Sequence, residues 1–467
     1  MLYKDGRVEN IKIAYIGGGS RGWAWTLMSE LARAEDISGE VLLYDIDFDA
    51  AQKNEIIGNR FNTATGVKSI WNYKAVKTID EALNSADFVI VSILPGDFDD
   101  MESDVHTPEK YGIYQSVGDT VGPGGIVRAM RTVPMFEYIG RKVKEICPDA
   151  WVINYTNPMT LCVKTLYRVF PEIKAFGCCH EVFGTQKVLA HVVGKKLGIS
   201  DVARDEIKVN PIAVNHFTWI TKATYKDMDL FPLYSEYVAN NPDGIKSDDP
   251  IDDNWFNKTA GKTSEKVKFD LFKRFGYIAA AGDRHLSEFC EGKWYLENPE
   301  RVEEMGFALT PVAARREDLE RRLEKSERLI NGEEEPEIYC TGEEGVNQIR
   351  ALLGLHDLVT NVNIPNMGQI PNLPIGAVVE TNAVFRSNSL TPVFAGPIPQ
   401  EIYGMVSRVC LEQENLSDAI AERSVEKIFE IFSNDPLVTC NLKDARKLFN
   451  TMVKNTAKYL GDYRIDV

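Results

Sequence analysis

A short apolar run at 10–16 (Asn-Ile-Lys-Ile-Ala-Tyr-Ile) breaks into Gly17-Gly18-Gly19-Ser20-Arg21-Gly22 and reopens as an amphipathic stretch over 23–33. No other feature constrains the fold as strongly. The next apolar run, Val41-Leu42-Leu43-Tyr44, ends at an acid, Asp45. In this G-x-G-x-x-G setting Gly17 makes the tight turn and Gly19 lets the backbone approach a pyrophosphate. Gly22 lets the helix pack closely on the sheet. Gly18 and Ser20 complete the cradle, and the helix N-terminus turns its unpaired N–H groups toward the phosphates. Asp45, with Asp47 as second choice, accepts hydrogen bonds from the adenosine ribose; an acid there selects NAD over NADP, whose 2′-phosphate it repels. Glycine turns without a ligand are common. Here the strand before, the helix after and the acid at the next strand end all favour the dinucleotide reading.

The alternation continues. Apolar runs at 88–93, 151–154 and 174–177 are interleaved with helical stretches at 49–60, 79–86 and 133–146. Strands alternating with helices predict a parallel sheet with right-handed crossovers. Residues 1–200 therefore read as a doubly wound, Rossmann-like NAD domain, with Ser92, in the 88–93 run, as a further cofactor-binding residue. Residues 201–467 read as an α+β domain for substrate, metal and oligomerisation. Its strand-like runs at 207–214 and 217–225 predict an antiparallel layer. Its helical stretches lie at 311–330 and 412–460, with an exposed acidic loop at 332–337 between them. The 412–460 segment packs on the rest of the chain or on a second subunit.

Composition narrows the partners. The 467 residues are 44% hydrophobic and 26% charged, as in ordinary folded proteins, and carry a net charge of −16. Nucleic acid needs a basic footprint, so it is not expected as a partner. The start of the chain lacks a signal-peptide pattern, and no apolar run reaches the length of a membrane span, which predicts a cytoplasmic protein without a membrane partner. The eight cysteines are scattered and read as reduced thiols.

Two segments carry polar groups that nucleotide binding alone does not need. Asn154-Tyr155-Thr156-Asn157-Pro158 ends the fourth run, and Cys178-Cys179-His180-Glu181-Val182 ends the fifth. Both fall at the carboxyl edge of the sheet, where this architecture binds ligands. A third segment, Asn215-His216-Phe217, lies between the strand-like runs of the second domain. Cys179 and His216 would form a two-ligand metal site with open positions. A buried thiol and a hydrogen-bonded histidine explain the same residues, and ligand softness alone points to Zn²⁺.

These segments in order, together with Gly17-Gly18-Gly19-Ser20 and Gly368-Gln369-Ile370-Pro371-Asn372-Leu373-Pro374, resemble the family 4 glycoside hydrolases from about residue 10 to 460. Within that family the Cys179-His180-Glu181-Val182 quartet resembles the α-galacturonidases. The resemblance implies an NAD- and Mn²⁺-dependent glycosidase that departs from two-carboxylate hydrolysis. It implies oxidation at C3, deprotonation at C2, elimination of the C1 aglycone, addition of water and re-reduction. A carbon-bound proton becomes acidic enough to remove only beside a polarised carbonyl.

By position, the resemblance makes Cys179 and His216 the metal ligands and leaves Cys178 a buried thiol. It makes Asn154 a nicotinamide contact and Asn157 a sugar contact. Some relatives carry an aspartic general acid where this chain has His180, followed by Glu181, so both are candidates. The family's tyrosine base has no clear equivalent. Phe275 stands near the expected slot, and Tyr277 and Asp283 are the candidates. A uronate needs a cation, for which Arg284, Arg131 and Arg128 are available, although each also suits a structural ion pair. The glycine-rich stretch 118–125 is expected to fold over the nicotinamide side. The implied partner is a small glycoside, an α-galacturonide, and the implied assembly a homodimer or homotetramer. The alternative is a malate- or lactate-type dehydrogenase acting on a sugar or hydroxy acid. The Cys179/His216 pair and the long second domain speak against it. An NAD-sensing protein without catalysis would have no need of the polar cluster.

Overall fold

The computed structural model describes residues 1–246 and 263–463; parts of the expected second domain, 247–262 and 464–467, lie outside the described residues. Strands β1 (Leu2–Lys4) and β2 (Arg7–Ile16) form a hairpin whose corner, Asp5-Gly6, has both φ angles positive (51° and 76°). Such corners match the twist of the flanking strands. Next come β3 (Ile37–Tyr44), β4 (Trp71–Val76), β5 (Phe88–Val91), β6 (Trp151–Asn154) and β7 (Lys174–Gly177). The parallel strands lie in the order β4-β3-β2-β5-β6-β7, the doubly wound dinucleotide arrangement. Its switch point, where ligands sit beyond the strand ends, falls between β2 and β5.

The alternation within the strands explains both covering layers. Ile13, Tyr15, Val41, Leu43, Ile90 and Ile153 face helices Trp23–Arg33, Phe48–Phe61 and Gly345–Leu352. Ala14, Ile16, Val89, Val91 and Val152 face Ile79–Leu83, Gly122–Ile146 and Met159–Val169. Burial on both sides is why β5 and β6 read as unbroken apolar runs.

The second half begins with β8 (Ile207–Ile212) and β9 (Trp219–Tyr225), antiparallel as expected, joined by β10 (Met228–Asp229). Strands β11 (Ile245–Lys246) and β12 (Thr263–Ser264) pair with each other, and β13 (Ile278–Ala279) adds to β9. The chain then returns to the large sheet. Strands β14 (Leu358–Pro365), β15 (Val378–Arg386) and β16 (Ser389–Pro392) extend it antiparallel beyond β7. The large sheet therefore runs across the expected boundary at residue 200. The C-terminal helices Gln400–Ala421, Val425–Asn434 and Leu442–Asn455 share one apolar core with Gly122–Ile146. No helix among the described residues is long and apolar enough to cross a membrane.

Candidate active site

The glycine turn closes beyond β2 where the amides of Gly17 and Gly18 both donate to the Tyr44 carbonyl at 2.9 Å. Gly17 has φ +95°, and a Cβ on it would collide with the Ser92 carbonyl. Ser92 therefore walls the turn, and its hydroxyl is engaged by buried Tyr15. The Asn54 amide holds the loop from below, donating to the carbonyls of Gly18 (2.8 Å) and Ser20 (2.9 Å). Asp45 accepts from Gly19 N (2.9 Å) and Asp47 N (3.0 Å), and burial raises its pKa. Asp47 caps the next helix through Ala50 N (3.1 Å), so Asp45 is the acid set against the turn. Beside it Ile46 (95% exposed) and Leu94 (45%) offer apolar surface at the two strand ends, suited to a flat base. Gly22 differs from expectation. A Cβ there would meet the guanidinium of Arg322 from helix Val312–Asn331 and not the sheet. Arg322 Nη1 also donates to Arg21 O at 3.1 Å.

Asn154 is fully buried, with both amide atoms used inside its own turn. Its Nδ2 donates to Thr156 O (3.0 Å) and its Oδ1 accepts from Thr156 N (2.9 Å). It shapes the loop and offers no free amide to a cofactor. Asn157, the residue this turn presents, donates to Asp119 Oδ2 at 3.1 Å and leaves Oδ1 without a protein partner.

Beyond β7, Cys178 belongs to the apolar core, with Sγ 3.4 Å from Gln348 Oε1. Cys179 turns the other way, buried against Met159, Val163 and Val378, and burial raises its thiol well above the ordinary range. His216 comes from the β8–β9 connection, where φ is positive at Ala213 (122°) and at His216 itself (63°). The loop 118–121, which runs into helix Gly122–Ile146 so that half of the glycine-rich stretch is helical, and the start of helix Asp283–Glu288 meet it there. Asp119, His216 and His285 bring one ligand atom each within 4.8 Å of one another, and the two imidazole rings lie 3.9 Å apart. Cys179 is not one of these three, so the structure gathers His216 with Asp119 and His285, a trio the sequence pattern does not reveal, and not with Cys179.

Thr120 fixes the His216 tautomer. Its hydroxyl lies 2.7 Å from Asp119 Oδ1 and 3.0 Å from His216 Nδ1. With its single proton donated to the carboxylate, it accepts from Nδ1–H and leaves Nε2 with a lone pair, as metal-ligating histidines are oriented. Burial, reinforced by His285, pushes His216 down to about 3, keeping it neutral. Arg128, with His285 adding to it, outweighs burial at Asp119 and holds it well below the usual carboxylate range. A carboxylate, a neutral imidazole and a second imidazole whose Nδ1 lacks a protein partner form a donor set that fits a divalent cation. The cysteine ligand would join only after losing its proton.

Of the trio, His285 lines a cleft of about 890 Å³, together with His180, Glu181 and Arg284. Glu181 Oε2 accepts from Gly282 N (2.7 Å), and Oε1 faces His285 Nε2 at 3.7 Å and His180 Nε2 at 3.9 Å. Burial would raise its pKa, but the imidazoles of His285 and His180 bring it down to about 2. His180 opens to the cleft (side chain 52% exposed), and Glu343 lies 3.2 Å from its Nδ1. Burial acts to lower it, but Glu343 carries it up to about 9. Of the two acid candidates His180 holds a proton at neutral pH and Glu181 does not.

The remaining candidates separate clearly. Arg284 lines the cleft, with Nη2 donating to Ser116 O (2.7 Å). Arg131, 1% exposed, is consumed by an ion pair with Asp104 and a bond to Pro95 O (2.8 Å), so it is not brought to the cleft. Arg128 is buried behind Asn157, donating to its carbonyl at 3.3 Å. Asp283 lines the cleft, yet its oxygens accept from Val267 N and Lys268 N (both 3.0 Å), anchoring helix Lys266–Phe275; burial and Glu265 raise it to about 7. Tyr277 packs half-buried against the apolar core and does not line the cleft.

Residues 12–195 match the model of the family 4 glycosyl hydrolases, and residues 213–438 match that of their C-terminal domain. The chain is 60% identical over 466 residues to an α-galacturonidase of Thermoanaerobacterium saccharolyticum, covering all of both. It is 50% identical over 453 residues to an α-galacturonidase of Bacillus subtilis (97% of this chain, 99% of the relative). The crystal structure of the Bacillus subtilis protein lplD superposes with a TM-score of 0.89 at 50% identity, covering 95% of this chain and all of that one. A 6-phospho-α-glucosidase from gut microorganisms, in complex with NAD and Mn²⁺, shares the fold with a TM-score of 0.79 at 19% identity (97% and 100% covered). With both halves matched and full-length relatives above half identity, the chain belongs to the family 4 glycosyl hydrolases.

Proposed function

We propose that the chain is an α-galacturonidase that uses NAD and Mn²⁺. The observation that carries this reading is the 60% identity, without a gap in coverage, to a relative of that activity. The glycine turn with Asp45 supports NAD, and the Asp119, His216 and His285 trio supports the cation. When bound, NAD supplies reversible oxidation at C3 of the sugar and the cation supplies Lewis-acid polarisation, which together make the C2 proton removable and the C1 bond cleavable by elimination.

The chain's own residues do the rest. Protonated His180 donates to the leaving C1 oxygen, its charge sustained by Glu343. Glu181 orients His180 and His285 between which it lies. Asn157, fixed by Asp119, offers Oδ1 to a sugar hydroxyl. Arg284 meets the uronate carboxylate, a pairing strengthened by its enclosure. Asp283 is the carboxylate of the pair proposed for base work that lines the cleft, and its raised pKa suits a proton acceptor near neutrality. A homodimer or homotetramer in the cytoplasm completes the proposal. Eight free cysteines support the reducing compartment, and exposed Tyr403 and Leu411 on helix Gln400–Ala421 support a subunit contact. The dehydrogenase alternative is not favoured by the family membership.

The test compares release of nitrophenol from p-nitrophenyl α-galacturonide and from the matching α-galactoside. We expect cleavage of the uronide, loss on treatment with EDTA, and recovery on adding Mn²⁺. Preference for the uncharged galactoside would remove the uronide assignment.

A further inference from the structure

Glu380, on β15, is 0% exposed, and among the described residues no lysine, arginine or histidine pairs with it. A carboxylate taken out of water needs compensation. Its partners are neutral donors from two different parts of the site. Oε2 lies 2.5 Å from the Thr218 hydroxyl, two residues beyond His216. Oε1 accepts from Asn361 Nδ2 on β14 at 2.8 Å, and the same amide nitrogen lies 3.3 Å from the Cys179 carbonyl. The Glu380 backbone N–H donates to Ala213 O at 2.8 Å, at the other end of the connection that carries His216. That connection holds two non-glycine residues at positive φ, a conformation that persists only where the surroundings impose it. Buried Asn215 faces both the Glu380 carboxyl and the Cys179 thiol.

We propose that Glu380 is the positioning residue of the metal centre. It ties the His216 connection to the Cys179 turn, and its buried negative charge favours a cation between them. The inference rests on the reading that Cys179 and His216 hold a divalent cation. It makes β15, a strand of the large sheet far along the chain, the brace on which both ligand segments close. Such outer carboxylates characteristically contribute 10–100-fold in metal affinity.

The experiment measures Mn²⁺ binding by electron paramagnetic resonance, which reads free Mn²⁺ directly, on the full-length chain and on Glu380→Gln and Glu380→Ala, with NAD affinity followed alongside. We expect Mn²⁺ affinity to fall about 10-fold in the Gln variant, which keeps the shape and loses the charge, and about 100-fold in the Ala variant. NAD affinity should stay within a factor of two of the parent in the Gln variant, which guards against a general failure to fold. Parent-like Mn²⁺ affinity in Glu380→Gln, with NAD binding intact, would overturn the proposal. Equal loss of Mn²⁺ and NAD binding in both variants would also overturn it, by showing a purely structural role. A parent chain that binds no Mn²⁺ would overturn the metal reading itself, and the proposal with it.

Discussion

Gly17 shows how tightly single residues are bound to their tasks. Its φ of +95° and its contact with the Ser92 carbonyl leave no room for a side chain. Gly17→Ala is therefore expected to weaken NAD binding by at least 10-fold in a fluorescence titration while the protein still folds; unchanged affinity would mean the turn does not hold the cofactor. Arg131 is a second case. Arg131→Met strands Asp104 in the core and should cost about 3–5 kcal/mol in urea unfolding, the usual result of removing one partner of a buried pair. If Arg131 served the substrate instead, the loss would appear in KM with stability unchanged. His285→Ala should weaken Mn²⁺ binding, whereas a structural histidine would leave it intact. At this scale the sequence was legible where local chemistry decides: the tight turn at Gly17 and the acid, Asp45, set against it. The trio was not. Asp119, His216 and His285 are separated by about 97 and 69 residues, and the polarity of the 118–125 and 282–285 loops hinted at function without revealing that they meet. Arg131 misled because an arginine in a uronate enzyme has two equally good uses, and only its buried partner distinguishes them.

The elements were readable to the degree that burial is local. β5 and β6, buried on both faces, stand out as apolar runs, whereas β4 alternates apolar with exposed polar residues (Trp71, Asn72, Tyr73, Lys74) and passes for a loop. The return of β14 and β15 to the parallel sheet rests on pairing between Asn363 and Gly177, a long-range choice that no local pattern records. Element packing also sets a pH dependence. Glu288, on helix Asp283–Glu288, accepts from Val117 N (2.8 Å) and Gly118 N (2.9 Å) and so fastens the loop that leads into helix Gly122–Ile146. Burial, with Asp119 adding to it, raises its pKa to about 8 from 4.5. The folded state thus holds this proton more tightly than the unfolded chain does. Its contribution to stability is complete below pH 4.5 and is lost as pH rises through 8. Unfolding free energy should fall between pH 5 and 8, and Glu288→Gln, which cannot ionise, should flatten that slope. An unchanged slope would mean Glu288 is not its source.

On the scale of the whole molecule, a dinucleotide sheet provides the carboxyl edge, and the second half of the chain closes over it with the antiparallel layer, the His285 helix and the brace of β15. We propose that this assembly cleaves a glycosidic bond through transient oxidation and loss of the C2 proton. Hydrolysis of p-nitrophenyl α-galacturonide in D₂O tests it most directly, with NAD⁺ and Mn²⁺ supplied or withheld and the product examined by proton NMR. Cleavage is expected to require both, and the galacturonate released to carry deuterium at C2. Cleavage that proceeds without either, giving product with the C2 proton retained, would contradict it.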